Sequence, residues 1–235
     1  GHGNKQLGWS VTIGIFSVIA VVFFVIAFVS ARERILPDPS QKSSVRQDSR
    51  DLLKNKPWLA LFILTVFIFM TLSLRGGSMY YYFSYYVDQG SLLHFLDQVG
   101  LVRAAGGEAT WLQSVLNAFG LIIAEDRSNV TSVGFSLFNM TGSFVTIVGV
   151  LFSKPLSTRF GKKAVFLVCL FLTTLVTASL FFMPANAIGG MFLISILWAA
   201  AYGPTIPLLW AMIADAADYS EWKTGRRATG FVSRC

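Results

Sequence analysis

Apolar residues collect along this chain in long unbroken blocks instead of recurring every second or fourth position. The first block runs from about Trp9 to Ala31, with small polar interruptions at Ser10, Thr12 and Ser17. A second starts at Trp58, just after Pro57, and continues to about Val87, interrupted by Arg75-Gly76-Gly77. Further blocks run from about Val130 to Ser153, Ala164 to Met183 and Ile188 to Ala214. Twenty residues at about 1.5 Å each cross a hydrocarbon core about 30 Å thick, so each block predicts one membrane-spanning helix. The pattern therefore predicts an all-α membrane protein with five transmembrane helices. Within the stretch at 88–129, Trp111, Leu112, Val115, Leu116, Phe119, Ile122 and Ile123 recur at helical spacing over a segment too short to cross. It predicts an amphipathic helix at the interface, with a lid over an entrance as the alternative.

Composition supports this picture. Of 235 residues, 54% are hydrophobic and only 13% charged, about half the charge of a soluble domain. The net charge of +7 would fit a polyanionic partner, but its distribution reports membrane topology. Arg32, Arg34, Lys42, Arg46, Arg50, Lys54 and Lys56 lie between the first two blocks; Lys154, Arg159, Lys162 and Lys163 between the third and fourth; Lys223, Arg226 and Arg227 after the fifth. The intervening 88–129 stretch has only Arg103 and Arg127 against five acids. The basic loops are thus expected in the cytoplasm, the amino end outside and the carboxyl end inside, in a multi-pass plasma-membrane protein with no nucleic-acid partner. The domain reading is 1–31 for the outer end and first span, 32–57 for a basic cytoplasmic loop, and 58–235 for most of one helix bundle.

A few polar residues at membrane depth need a reason. Arg75 is the lone charged side chain inside a span, where it costs roughly 2.5–3.5 kcal/mol at mid-depth. It either snorkels to the headgroups or faces an aqueous cavity. Gly76 and Gly77 predict a break or bend beside it. Tyr80, Tyr81, Tyr82, Tyr85 and Tyr86 read as an interfacial belt, with Tyr82 a candidate to point into a cavity. Asn139 marks the interior side of the third span, as interhelical glue or a ligand contact. Pro204 and Pro207 predict a second helix break, beside which Trp198 and Tyr202, one turn apart, form a candidate stacking wall.

No Ser/His, paired-acid or metal-ligand set lies at membrane depth, and Cys169 and Cys235 form no metal or disulfide spacing. An enzyme, a cofactor and a metal site are accordingly not expected. After the fifth span, Asp215, Asp218 and Glu221 are followed by Lys223, Arg226 and Arg227. Acids at a cytoplasmic helix end, opposite Arg159, Lys162 and Lys163, predict ion pairs that hold the inner face shut.

Here the residues resemble a known family. The run from Pro204-Thr205 through Leu209-Trp210-Ala211-Met212-Ile213-Ala214-Asp215 to Asp218-Tyr219-Ser220-Glu221-Trp222-Lys223-Thr224-Gly225 is similar to the signature of glycoside–pentoside–hexuronide:cation symporters, the melibiose-permease-like branch of the major facilitator superfamily. Lys54-Asn55-Lys56-Pro57-Trp58, Arg75-Gly76-Gly77 with Tyr81-Tyr82-Phe83, and Arg159-Phe160-Gly161-Lys162-Lys163 resemble it too. The resemblance implies a twelve-helix, two-bundle transporter that moves a sugar or glycoside with Na⁺ or H⁺ by alternating access. This chain would supply the sixth to tenth helices and the start of the eleventh, a partial fold. Asp218 and Glu221 would then match inner-gate acids, with Arg159 and Arg227 as partners. The coupling cation would bind in the missing amino-terminal helix bundle, and a bacterial inner membrane would be the setting. The start at Gly1 and the end at Cys235 are expected to be cut, leaving a fragment not competent alone. A same-fold carrier of lysolipid or another organic solute, or a noncatalytic membrane remnant, is the alternative.

Overall fold

The computed structural model describes residues 5–30, 53–102, 115–116, 121–123 and 127–224. Among these residues, five helical stretches are long and apolar enough to cross a membrane: Leu7–Ser30, Lys56–Tyr86, Val130–Phe160, Lys162–Phe182 and Ile188–Ser220. The chain divides into two compact units, residues 1–44 and 45–235. The first contains helix α1, Lys5–Ser30. Its large apolar side chains are exposed, from Trp9 to Val29. Thr12 and Ser17 donate their hydroxyl protons to the carbonyls of Gly8 and Ile13, at 2.9 and 2.8 Å, so these two hydroxyls are satisfied within the helix itself. The expected basic loop at 32–57 falls largely outside the described residues.

In the second unit, α2 (Lys56–Tyr81) begins where Asn55 caps it. The Asn55 side chain accepts from the Trp58 amide at 3.3 Å and donates to the Ala216 carbonyl at 3.1 Å, so one buried amide both starts the helix and ties it to a distant one. Pro57 sits in the first turn, where its missing N–H costs no intrahelical bond. The helix passes through Gly76 and Gly77 without interruption. The expected break there is corrected: no neighbour stands within 4 Å of a Cβ built at either glycine, so nothing presses on the helix at that point. The departure from α geometry comes later, in a π-helical turn over Tyr82–Tyr86.

Helix α3 (Gln89–Gln98) follows, capped by Asp88, whose carboxylate accepts from the Ser91 amide at 2.7 Å. Hydrogen bonds from Ser91 hold the Asp88 carboxyl below the ordinary carboxylate range. The contribution of this cap is therefore present above the ordinary carboxylate pKa and is lost as pH falls through the depressed value. Leu92 and Leu96 are fully buried, and α3 packs across the ends of α4 (Val130–Phe160) and α6 (Ile188–Tyr202). The apolar pattern of the sequence does not predict this helix. The expected interfacial helix at 111–123 lies mostly outside the described residues. Of its members, Leu116 packs against the core and Ile123 is buried, paired by backbone with Leu101 at 3.0 Å.

Helix α4 ends at Gly161, whose φ of +83° suits glycine alone, and α5 (Lys162–Ser179) starts directly beyond it. Helices α6 and α7 (Thr205–Thr224) divide the fifth apolar block. The break falls at Gly203-Pro204, because Pro204 has no N–H with which to continue the ladder, and Thr205 Oγ donates to the Tyr202 carbonyl at 2.6 Å. Of the two prolines expected to break the helix, Pro204 stands at the break and Pro207 does not contribute to it. Pro207 lies in the first turn of α7, where no intrahelical bond is lost.

Helix α6 packs most extensively on α4 and α5, and α7 packs on α2, α4 and α5. Three apolar clusters follow from this arrangement. One, around Phe83, Leu92, Phe138 and Phe192, lies under α3. A second joins Phe166 and Cys169 to Leu208 and Leu209. The third joins Trp58 to Ala216 and Ala217 beside the Asn55 tie. Outward faces of α2, α4 and α5 carry exposed Phe67, Met70, Phe144, Leu151 and Phe171, the surface that a bilayer would cover.

Candidate functional site

Between α2, α5 and α6 the bundle holds Arg75. Its guanidinium carbon lies 3.6 Å from the centroid of the Trp198 ring, and Trp198 stacks on Tyr202 at 4.8 Å with an interplanar angle of 15°. The Trp198–Tyr202 pairing is a consequence of helical spacing on α6, four residues apart. Cation–ring contact of this kind is worth about 0.5–2 kcal/mol, more as water is excluded. The Arg75 Nη1 and the Tyr82 hydroxyl are both buried without a hydrogen-bond partner.

Arg75 borders three cavities. One of about 430 Å³ is lined by Arg75, Asn139, Ser143, Ser195 and Trp198. A second, of about 480 Å³, is lined by Arg75, Thr173, Thr174, Thr177, Trp198 and Tyr202. The third, of about 570 Å³, includes Arg75, Ser78, Tyr82 and Thr177. Every one of the five sequence-predicted cavity residues thus lies on a cavity that Arg75 also borders. Two details differ from the pattern reading. Asn139 donates to the Phe135 carbonyl of its own helix at 3.1 Å, and the Trp198 ring is covered by Arg75 instead of standing as a bare wall. Thr173, Thr174 and Thr177 escaped that reading, although three threonines within one and a half turns of an apolar span are a signal for a polar-lined face.

The cavities end short of α3. There the Tyr86 hydroxyl donates to the Met183 carbonyl at 2.7 Å and the Asp88 amide to the Ala185 carbonyl at 3.0 Å. The Gln89 side chain donates to the carbonyls of Phe83 and Val87, at 3.0 and 3.3 Å, and accepts from Thr131 at 2.9 Å. These bonds hold the π-helical turn against α3, α4 and the loop before α6.

At the opposite end, Lys162 Nζ reaches both carboxylate oxygens of Asp215, at 2.8 and 2.7 Å. The expected partners are arranged differently: Arg159 lies over the Phe160 ring at 5.4 Å, and Lys223 over Tyr219 at 6.0 Å. Asp218 is exposed and forms no ion pair among the described residues. Glu221 falls on α7, while its side chain and Arg227 lie outside the described residues. The Lys162 and Asp215 side chains are 46% and 55% exposed, so solvent screens their attraction. A double-mutant cycle of Lys162→Met and Asp215→Asn, read by thermal unfolding, is expected to give a coupling of less than about 1 kcal/mol. A coupling of several kcal/mol would mean that the pair is desolvated and holds this end closed in the resting protein. Among the described residues no three His, Cys, Asp or Glu side chains converge to hold a metal.

Comparison with known proteins decides the family. The family described as MFS/sugar transport protein matches residues 1–120 and 109–233. The chain belongs to this family. The two matched stretches of the MFS/sugar transport protein family meet within the long 88–129 segment. Relatives include the inner membrane symporter YicJ of Escherichia coli, 26% identical over 98% of this chain and 41% of that protein. The uncharacterized symporter YjmB of Bacillus subtilis is 24% identical over 95% of the chain and 40% of its own length. The isoprimeverose transporter of Lactiplantibacillus pentosus is 24% identical over 99% and 40%. The chain thus spans about 40% of the length of these relatives. No solved structure matches it. Family and relatives agree with the motif resemblance to glycoside–pentoside–hexuronide symporters, and they are transporters, not enzymes.

Proposed function

We propose that this chain forms most of one helix bundle of a secondary transporter that moves a sugar or glycoside together with Na⁺ or H⁺ by alternating access. The observation that carries this reading is the Arg75–Trp198–Tyr202 stack, a charged and aromatic group bordering open, mainly apolar clefts between membrane helices. Such a position suits a polar solute that must be held at depth without water. The names of the relatives, symporter and isoprimeverose transporter, support coupling and sugar as cargo. The coupling cation is assigned to the part of the relatives that this chain does not span.

The basic end, with Lys54, Lys56, Lys162 and Lys163, is placed in the cytoplasm on the positive-inside tendency. The end under α3 then faces outward. The bacterial relatives favour a bacterial inner membrane. The test is uptake of labelled glycosides by transport-deficient cells expressing the complete reading frame that encodes this chain. Uptake is expected to rise with an inward Na⁺ or H⁺ gradient and to fall when both are collapsed. Uptake indifferent to both gradients would remove the coupling, and no uptake of any sugar would remove the cargo.

A further inference from the structure

We infer that the cavity between the start of α2 and the end of α7 binds a phosphate group, and that an anionic phospholipid supplies it. The inference is independent of the sugar-transport reading. The cavity holds about 510 Å³, within the range of small-ligand sites, and its lining includes Lys54, Asn55, Lys56, Tyr219, Ser220 and Lys223. Among the described residues, every charged side chain on that lining is basic. Three ammonium groups brought to one cavity repel one another, and an anion with several acceptor oxygens turns that repulsion into attraction. The N-terminus of α2 and the C-terminus of α7 meet here, so the helix dipoles offset and the lysines set the sign of the field.

The walls are tied together by the protein itself. The Asn55 side chain donates to the Ala216 carbonyl at 3.1 Å and accepts from the Trp58 amide at 3.3 Å. That tie places Lys54 and Lys56, on either side of Asn55, on the same cavity as Tyr219 and Lys223 of α7. Lys223 Nζ lies 6.0 Å from the Tyr219 ring centroid, an aromatic contact on that wall. Depth then favours a lipid over a soluble ligand. Lys56 opens the apolar span Lys56–Tyr86 and Ser220 closes the span Ile188–Ser220, so the cavity sits at the headgroup level of a bilayer. Beside it Trp222 is 82% exposed and its ring lies 6.0 Å from that of Tyr219, a pair suited to the membrane interface. About one turn deeper lies the apolar cluster of Trp58, Ala216 and Ala217. Basic pockets between membrane helices at this depth suit anionic headgroups. Free phosphate would meet the same donors, and the experiment separates the two sources.

The complete purified protein, in a neutral maltoside detergent and about 0.15 M salt, is titrated calorimetrically with dioctanoylphosphatidylglycerol. This lipid is expected to bind roughly 10-fold or more tightly than dioctanoylphosphatidylcholine, which has the same chains but a phosphate offset by choline. Lys54→Gln, Lys56→Gln and Lys223→Gln should each weaken binding about 5-fold, and the triple variant on the order of 100-fold. Lys163→Gln removes the same charge at the same end of the bundle but off the cavity, and should change binding by less than about 2-fold. Lys56→Arg keeps the charge and should stay within about 2-fold of the wild type. Equal binding of the two lipids would assign the affinity to their acyl chains and overturn the inference. A loss in Lys163→Gln as large as in Lys56→Gln would replace the cavity by diffuse surface charge and overturn it too. A loss in Lys56→Arg equal to that in Lys56→Gln would trace the effect to disturbed packing around Asn55 and count against it. Inorganic phosphate that binds as tightly as the phosphatidylglycerol, with the same lysine dependence, would overturn the lipid as the source.

Discussion

Replacing Gly203 by Ala is expected to destabilise the bundle by about 3 kcal/mol or more, the upper range for overpacking a filled site. A Cβ at this position would lie 2.6 Å from the Thr146 carbonyl oxygen and 2.9 Å from the Gly149 Cα. Both obstacles are backbone atoms, so no rotamer change relieves them; α4 and the α6–α7 junction would have to move apart. The reciprocal substitution, Gly149→Ala, meets Gly203 Cα at 3.2 Å and should cost less. Close approach of this kind is how membrane helices associate where lipid removes the hydrophobic driving force between them. Gly76→Ala and Gly77→Ala are the controls. Each has open space around the new methyl, and alanine favours the helix over glycine by about 0.8–1 kcal/mol. Thermal unfolding of the detergent-solubilised protein should therefore show a large loss for Gly203→Ala and no loss for the α2 pair. An unchanged midpoint for Gly203→Ala would mean that the two helices do not meet at Gly149.

The same contrast shows what a chain pattern can carry. Apolar blocks disclose spans because hydrocarbon obliges every backbone N–H and C=O to bond within its own helix, so length and apolarity alone specify the element. A break is harder to read. Pro204 removes a donor wherever it stands, and the chain breaks there. Pro207 reads identically in sequence, yet its position in the first turn of α7 makes it harmless. Gly76-Gly77 reads as a hinge, whereas the pair that matters structurally is Gly149 and Gly203, which lie far apart in sequence and touch only after folding. Helix α3 was hidden by its brevity. Asp88 followed by Leu92, Leu93 and Leu96 is a capped amphipathic helix of nearly three turns, but ten residues between two tight turns carry too weak a period to stand out from a loop.

At the site, the residue types were legible and their partners were not. Arg75 announces itself as the lone charge in a span, and Trp198 and Tyr202 as a pair four residues apart on one helix. That the guanidinium comes to rest on Trp198 depends on α2 and α6 bringing the two to the same depth, which no local pattern encodes. The basic end shows the same limit. Three acids facing a cluster of bases predict ion pairing, but the choice of Lys162 with Asp215 follows from α5 starting directly beyond Gly161, which sets Lys162 in the first turn beside α7.

Replacing Trp198 by Ala should therefore cut substrate uptake roughly 30- to 150-fold, whereas Trp198→Phe should retain it to within about 3-fold. The ring holds Arg75 from one side by cation–π contact and is itself steadied by Tyr202. Those contacts together amount to about 2–3 kcal/mol, at tenfold per 1.36 kcal/mol. Phenylalanine keeps a face for the guanidinium, so a large loss in Trp198→Phe would point to the indole N–H in place of the ring. In Trp198→Ala the guanidinium loses its platform and is free to swing away from the cavities that it borders. The defect should then appear as weaker binding at low substrate and be partly overcome at saturation. Initial uptake rates across substrate concentrations, normalised to the amount of protein in the membrane, measure it. Undiminished uptake by Trp198→Ala at every concentration would show that Arg75 needs no aromatic support, and the stack would be left with a packing role alone.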